Sequence, residues 1–433
     1  MAATDPSSVA DPKTVIGTVW RMESARIIAG LTRLVRDVGR AEELAQDAVV
    51  IALEQWPRDG APDNPGAWLM ATAKHRAIDD LRRRQRYEEK LRELDVVEAE
   101  WDEPDLDDHI GDDLLRLIFM SCHPALSTES RVALTLRLFG GLTTDETARA
   151  LLVPEPTVAQ RIVRAKKSLA GVRFELPSPP EMADRLASVL EVVYLIFNEG
   201  YSATAGDDWM RPTLCEEALR LGRLLAGLAP AEPEVHGLVA LMEIQASRMR
   251  ARTGPDGAPI LLPDQDRRLW DRLLIRRGLA ALAEAERLAA ADASLRAAPE
   301  VPWVLGPYAL QAAIAACHAR ATTADETDWG RIAALYRVLG TVSPSPVVEL
   351  NRAVAVGRAE GPAAGLAVVD AIRSERSLSG YALLPAVRAD LLASLGRVDE
   401  ARAEFEAAAR LTRNERERSI FLARAAQLAG VGG

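Results

Sequence analysis

Five polar side chains near the middle of the chain have types and spacing that suit DNA. Thr157, Gln160, Arg161 and Arg164 recur at i, i+3, i+4 and i+7, and Lys167 continues the series. Residues so spaced share one face of a helix. Arginine and glutamine can each pair with two atoms of a base edge in the major groove. A second basic group, Lys74, Arg76, Arg82, Arg83, Arg84 and Arg86, stands against Asp79 and Asp80 alone. Its charge would neutralise phosphates and make binding salt-sensitive. Ahead of it lies a breaker-rich loop from Pro57 to Gly66, containing Asp63 and Asn64 and flanked by Trp56 and Trp68. Such a loop could shape a pocket for an unpaired base. The bland alternatives are a solvated helix face, solubilising arginines and two core tryptophans, and for the tryptophans taken alone the core is the better reading.

Signs of other chemistry are weak. The chain has no G-x-x-x-x-G-K-[ST], no G-x-S-x-G and no H-E-x-x-H, so phosphate-loop, serine-hydrolase and zincin chemistry lack their usual residues. Cys122-His123 and Cys317-His318 are adjacent pairs. Neighbours on a helix point apart, so core positions fit them better than a metal site. Asp264, Asp266, Arg267 and Trp270 form a polar cluster with two readings, structural salt bridges or a ligand pocket. The first is favoured over acid–base catalysis.

The elements that would position these groups are helical. Ile16, Val19, Trp20, Ile27, Ile28, Leu31, Leu34 and Val35 mark one face of a first helix. A second helix is expected from Arg40 to Gln55 and a third from Trp68 to about Tyr87. Thr143 and Glu146 have capping-box spacing and open a short helix through Leu151. Val153-Pro154-Glu155 makes the turn, and Pro156 suits the first position of the next helix, where its missing N–H is harmless. That helix carries the apolar stripe Val158, Ile162, Ala165 and Leu169 opposite the five polar residues. The pair is a helix-turn-helix candidate. Leu176 to Pro180 reads as a stiff linker, and Gly254 to Gly257 as a turn beside a small hairpin. Gly396, Ala401, Phe405 and Ala408 have the small/large alternation of a tetratricopeptide helix pair.

Composition limits the partners. The 433 residues carry a net charge of −10, which argues against nucleic acid until its distribution is read. Thirteen acids lie between Glu88 and Asp113 against Lys90 and Arg92, so this one stretch holds the acidity of the whole chain. A basic helix thus precedes an acidic tether. Three widely spaced cysteines form no CxxC pair, which fits a reduced cytoplasm. No stretch reads as a membrane span or a signal peptide.

These motifs resemble a known family. "DVGRAEELAQDAVVIALEQWP" and "NPGAWLMATAKHRAIDDLRRRQR" resemble the promoter-melting domain of extracytoplasmic-function (ECF) sigma factors of the sigma-70 family. "LSTESRVALTLRLFGGLTTDETARALLVPEPTVAQRIVRAKKSL" resembles their second DNA-binding domain. "VVYLIFNEGY", "LLPDQDRRLWDRLLI" and "LNRAVAVGRAEGPAAGL" look like the tail of a subgroup with a C-terminal TPR-like extension. The resemblance implies an all-α chain of two small helical sigma domains, the second with the helix-turn-helix, joined by an acidic linker and followed by the extension. The implied divisions are a disordered tail (1–13), region 2 (14–88), linker (89–111), region 4 (112–173), Pro-rich linker (174–186), a family-specific helical domain (187–290) and a TPR-like domain (291–433).

Roles follow in the same way. Asp37, Glu42, Glu43, Leu44 and Asp47 match the helix that docks on polymerase, with Leu44 supplying apolar contact. Asp63 and Asn64 match the loop that captures a flipped base of the minus-ten element. Trp68, Lys74, His75, Arg76, Asp79 and Arg83 match the helix that reads that element, with His75 standing where many members have Asn. Thr157, Gln160, Arg161, Arg164 and Lys167 match the helix that reads the minus-thirty-five element. The expected partners are core RNA polymerase, promoter DNA and a protein or small ligand for the extension, with no membrane. No catalytic residue, metal or cofactor is expected. The rival readings are a helix-turn-helix regulator that does not recruit polymerase and a helical ligand or partner sensor.

Overall fold

The computed structural model describes residues 12–92, 110–151, 153–202, 210–254, 259–295, 305–412 and 414–429. Among them are eighteen α-helices, four short 3₁₀ turns and one isolated β-bridge, Thr253 to Pro259, at the expected hairpin. The expected N-terminal tail falls mostly, and the acidic tether largely, outside the described residues. The chain divides into two compact units, residues 1–193 and 194–433.

The first unit opens with α1 (Pro12–Val35), α2 (Val38–Asp59) and α3 (Pro65–Arg92). Asp37 caps α2, accepting from the Arg40 N–H at 2.8 Å, and Asn64 caps α3, accepting from the Ala67 N–H at 3.1 Å. Ile27, Ile28 and Leu31 of α1, Leu44 and Ala48 of α2, and Leu69, Ala73 and Ala77 of α3 are buried where the three helices pack on one another. α2 outruns its expected end at Gln55 and includes Pro57. A proline removes one backbone donor, and here that loss falls in the last turn. Gly60, at φ 84°, then ends the helix and donates to the Trp56 carbonyl.

The second module comprises α4 (Ile110–Ser121), α5 (Thr128–Leu138), α6 (Thr144–Leu151) and α7 (Glu155–Leu169) around Leu117, Phe119, Leu134, Leu136 and Phe139. The capping box forms in both directions: Glu146 N–H donates to Thr143 Oγ1 at 3.1 Å, and Thr143 N–H to Glu146 Oε2 at 2.8 Å. α7 starts at Glu155, one residue before Pro156, which still falls in the first turn where no N–H is needed. The proline-rich stretch departs from the linker reading. Pro179 and Pro180 begin α8 (Pro179–Tyr201), with the Ser178 hydroxyl and N–H both donating to Glu181.

The second unit continues with α9 (Pro212–Leu228), α10 (Pro233–Ala246), α11 (Arg272–Leu295), α12 (Pro307–Arg320), α13 (Trp329–Val342), α14 (Pro346–Ala359), α15 (Pro362–Ile372), α16 (Leu383–Ser394), α17 (Val398–Leu411) and α18 (Glu415–Ala429). From α12 on, neighbours in sequence pack on each other and bury a chain of apolar clusters. This is how stacked helical repeats bury a continuous core. α14 and α15 meet so closely that a Cβ at Gly365 would lie 2.8 Å from the Gly357 Cα. Ala401, Phe405 and Ala408 are all buried where α17 packs, and Gly396 turns the chain into that helix at φ 76°.

Candidate nucleic-acid interface

α7 splits as its sequence pattern predicts. Val158, Ile162, Ala165 and Leu169 are buried. Gln160, Arg164 and Lys167 are exposed, and Thr157 and Arg161 half-buried. The apolar stripe fixes the helix against its module, so the polar face is presented by a rigid element. Sequence reading passed over Val163, which is 64% exposed beside Gln160 and Lys167. An apolar side chain there can touch a thymine methyl group.

On α3, His75, Arg76, Asp79 and Arg83 are exposed and Lys74 is half-buried. Lys74 lines a cleft of about 400 Å³ with Glu23, Arg26, Asn64, Gly66 and Met70. The loop thus borders a concave space. Asn64 also caps α3, which fixes the loop, and Asp63 is exposed beside it. Trp56 is buried and meets the half-buried Trp68 edge-on, with ring centroids 5.5 Å apart. Asp80 differs from its neighbour Asp79. It is buried and takes two bonds from the Arg40 guanidinium, at 2.6 and 3.1 Å, which hold its carboxyl below its ordinary value. Asp80 therefore ties α3 to α2.

The five residues matched to polymerase docking do not make one open surface. Asp37, Glu43 and Asp47 are exposed, whereas Leu44 is 2% exposed in the core of its own module. Glu42, 3% exposed, is covered by the second module. Its carboxylate lies 2.7 Å from Arg137 Nε of α5 and 2.6 Å from Lys166 Nζ of α7, and accepts from Gln46 at 2.7 Å. Arg33 with Asp113 at 3.1 Å and Arg21 with Glu146 at 3.3 Å add further ion pairs between the modules. No sequence signal pointed to this closure, because its partners lie up to 125 residues apart.

Other candidate groups have structural positions. The three cysteines are free and buried, and burial pushes the Cys215 thiol up to about 12. Asp266 pairs with Arg268 at 2.8 Å, not with Arg267, and that guanidinium holds it down at about 2. Among the described residues no group of three or more His, Cys, Asp or Glu could hold a metal, and no helix is long and apolar enough to cross a membrane.

Residues 20–87 match the Sigma-70 region 2 model and residues 116–169 the model of Sigma-70, region 4. Residues 185–286 match a Family of unknown function (DUF6596). A chain with these two regions in this order is of the sigma class, the subunits that give RNA polymerase its promoter specificity. The ECF RNA polymerase sigma factor SigK of Mycobacterium sp. (strain KMS) is 30% identical over 159 residues, 34% of this chain and 79% of that protein. SigK of Mycobacterium tuberculosis (strain ATCC 25177 / H37Ra) is 32% identical over 152 residues, covering 34% and 78%. The chain belongs to the ECF sigma factors of the sigma-70 family and carries a C-terminal helical extension. That extension is shared with a Rhizobium meliloti (strain 1021) protein described as uncharacterized, 46% identical over 397 residues and 90% of each chain. Yeast Tom70 aligns with 98% of this chain and 87% of its own at 12% identity and a TM-score of 0.31, which carries no argument.

Proposed function

We propose that this sigma factor works in the cytoplasm, docking on core RNA polymerase through α2 and reading a two-part promoter with α3 and α7. The exposed polar face of α7 over its buried stripe is the observation that carries this reading. Gln160, Arg161 and Arg164 would pair with minus-thirty-five base edges, while Thr157 and Lys167 hold the flanking backbone. His75, Arg76, Asp79 and Arg83 would follow the minus-ten strand. The cleft at Asn64 and Lys74, with Asp63 and Trp68 at its border, would receive a base leaving the stack, an extrusion costing roughly a few kcal/mol. The sigma factor makes no covalent bond; polymerase does.

Asp37, Glu43 and Asp47 would meet polymerase first. Glu42 joins them when it gives up Arg137 and Lys166, and Leu44 supports the helix from inside. Docking and separation of the two modules are then one event. The extension would regulate that event or bind a partner of its own.

Transcription in vitro from a pool of promoter fragments, with core polymerase and the full chain, tests the reading. Discrete transcripts sharing a two-part upstream element are expected. Transcripts only from a chain ending after residue 202 would identify the extension as an inhibitor. Silence from both, with active polymerase, would leave a DNA-binding regulator that a polymerase pull-down fails to retain.

A further inference from the structure

One cleft in the first unit serves none of the roles above. It has a volume of about 640 Å³ and is lined from both modules. Arg33 and Arg36 come from the end of α1, and Gly171, Arg173, Phe174 and Glu175 from the segment after α7. Its volume falls in the range of small-molecule sites, roughly 300–1,000 Å³. Residues 171–175 lie between the stretches matched to region 4 and to the family of unknown function.

The three arginines differ in what they can still bind. Arg33 is engaged by Asp113 at 3.1 Å. Arg36 and Arg173 are exposed, and neither pairs with a described residue. Asp37 follows Arg36 in the chain but is held at the cap of α2 by the Arg40 N–H. Glu175 is the one acid in the wall. Two unpaired guanidiniums on one cleft suit a phosphate, whose oxygens match their planar fork of donors.

Two further features set this wall apart. Arg36 has a left-handed backbone, at φ 54°, and its N–H closes α1 on the Thr32 carbonyl at 2.8 Å. Glycine or asparagine is usual at such a cap, and a longer side chain carries a backbone cost there. An arginine at this point therefore has a reason beyond ending the helix. Phe174 is the second feature. Of the six phenylalanines it alone is half-buried, and the other five are buried. Beside it Gly171 turns the chain at φ 87°, and a Cβ added there would meet nothing within 4 Å, so this part of the wall is bare backbone.

We infer that this cleft binds a small phosphate-bearing aromatic ligand of the nucleotide class, its phosphate between Arg36 and Arg173 and its ring on Phe174. Glu175 would accept from a hydroxyl or amino group of the ligand. Arg36 belongs to the first module and Arg173 follows the last helix of the second, so an occupant holds the two together. A ligand that binds only the closed arrangement stabilises it. On the reading that α2 docks on polymerase as the modules part, such a ligand opposes docking.

Isothermal titration of the full-length protein, without polymerase or DNA, tests the site. The probes are adenosine and guanosine 5′-monophosphate, with inorganic phosphate and the two nucleosides as their separated halves. At least one nucleotide should bind, at least about tenfold tighter than either of its halves. Arg36→Gln and Arg173→Gln should each weaken it about tenfold or more, the factor expected for a lost charge-assisted contact. Phe174→Leu should weaken it about fivefold or more through lost stacking. An unchanged Tm shows that each variant is folded. No binding of either nucleotide, or binding that both arginine variants leave unchanged, would overturn the proposal. Loss in only one arginine variant would refute the bridge between modules, and phosphate binding as tightly as nucleotide would refute the ring contact. Binding of a single-stranded oligonucleotide in place of the mononucleotides would assign the cleft to nucleic acid and overturn it too. Saturating nucleotide should lower retention of the wild type on core polymerase but not that of Arg173→Gln. Equal retention would remove the effect on docking, while the titration judges the site by itself.

Discussion

Two buried charge clusters in this molecule are handled in opposite ways. In the first unit, Glu42 is covered by the second module and answered within the chain by Arg137, Lys166 and Gln46. In the second unit, Arg248 is covered to a similar degree but lies among rings, with an unpartnered Nε and no described carboxylate at ion-pair distance. Burial exacts the same kind of desolvation cost in both places. The difference lies in what removal of one partner does. An internally paired charge holds two modules in one arrangement, whereas Arg248 is held only by ring contacts and one hydrogen bond within its own unit.

Four measurements would break or sharpen that contrast. The largest effect is expected from Arg137→Met. It leaves Glu42 buried with one cation fewer and should cost the first unit about 3 kcal/mol in urea unfolding. Arg248→Met should cost nothing by comparison, and equal losses would erase the distinction.

The next concerns pH. His318 titrates near 4 in the folded chain and near 6.5 when unfolded. Between those values the unfolded chain binds the extra proton. Stability of the second unit is therefore complete above pH 6.5 and falls as pH drops towards 4, by at most about 1.4 kcal/mol per pH unit. His318→Gln should flatten that slope. Asp80 has the same sign at lower pH, because Arg40 keeps its folded value below the unfolded one. Its contribution is present above the unfolded carboxylate value and is lost as pH falls through the folded one.

Arg161→Ala or Arg164→Ala should weaken promoter binding by about 1–3 kcal/mol and relax preference at a single position, read by competition with altered duplexes. Lys167→Ala should instead weaken all sequences alike and reduce the salt slope by about one unit. Arg21→Ala should have the smallest effect. Its pair with Glu146 is 61% exposed on the arginine side, and such pairs contribute about 0–1 kcal/mol. A loss as large as that of Arg137→Met would mean that module closure is governed by surface charge.

Local pattern and family resemblance made much of the first unit legible. The capping box at Thr143 and Glu146 and the stripe from Val158 to Leu169 are short-range signals. Each depends on neighbours within a few turns, where helical period alone decides which side is apolar. The same logic located the α17 positions Ala401, Phe405 and Ala408. It erred at Pro57 and at Pro179-Pro180, because a proline reads as a breaker until its place in a first or last turn is known.

What the sequence determined by itself was the all-helical class, the two sigma regions and the face that α7 turns to solvent. Tertiary structure alone decided that Glu42 is closed off by Arg137 and Lys166, that Asp80 is a tie and Asp79 a free surface group, and that Arg248 lies among the Tyr201 and Trp270 rings. The reason is physical. Helical period is written in neighbouring residues, but the pairing of a buried charge is settled by groups tens to a hundred positions away, which only packing brings within 3 Å.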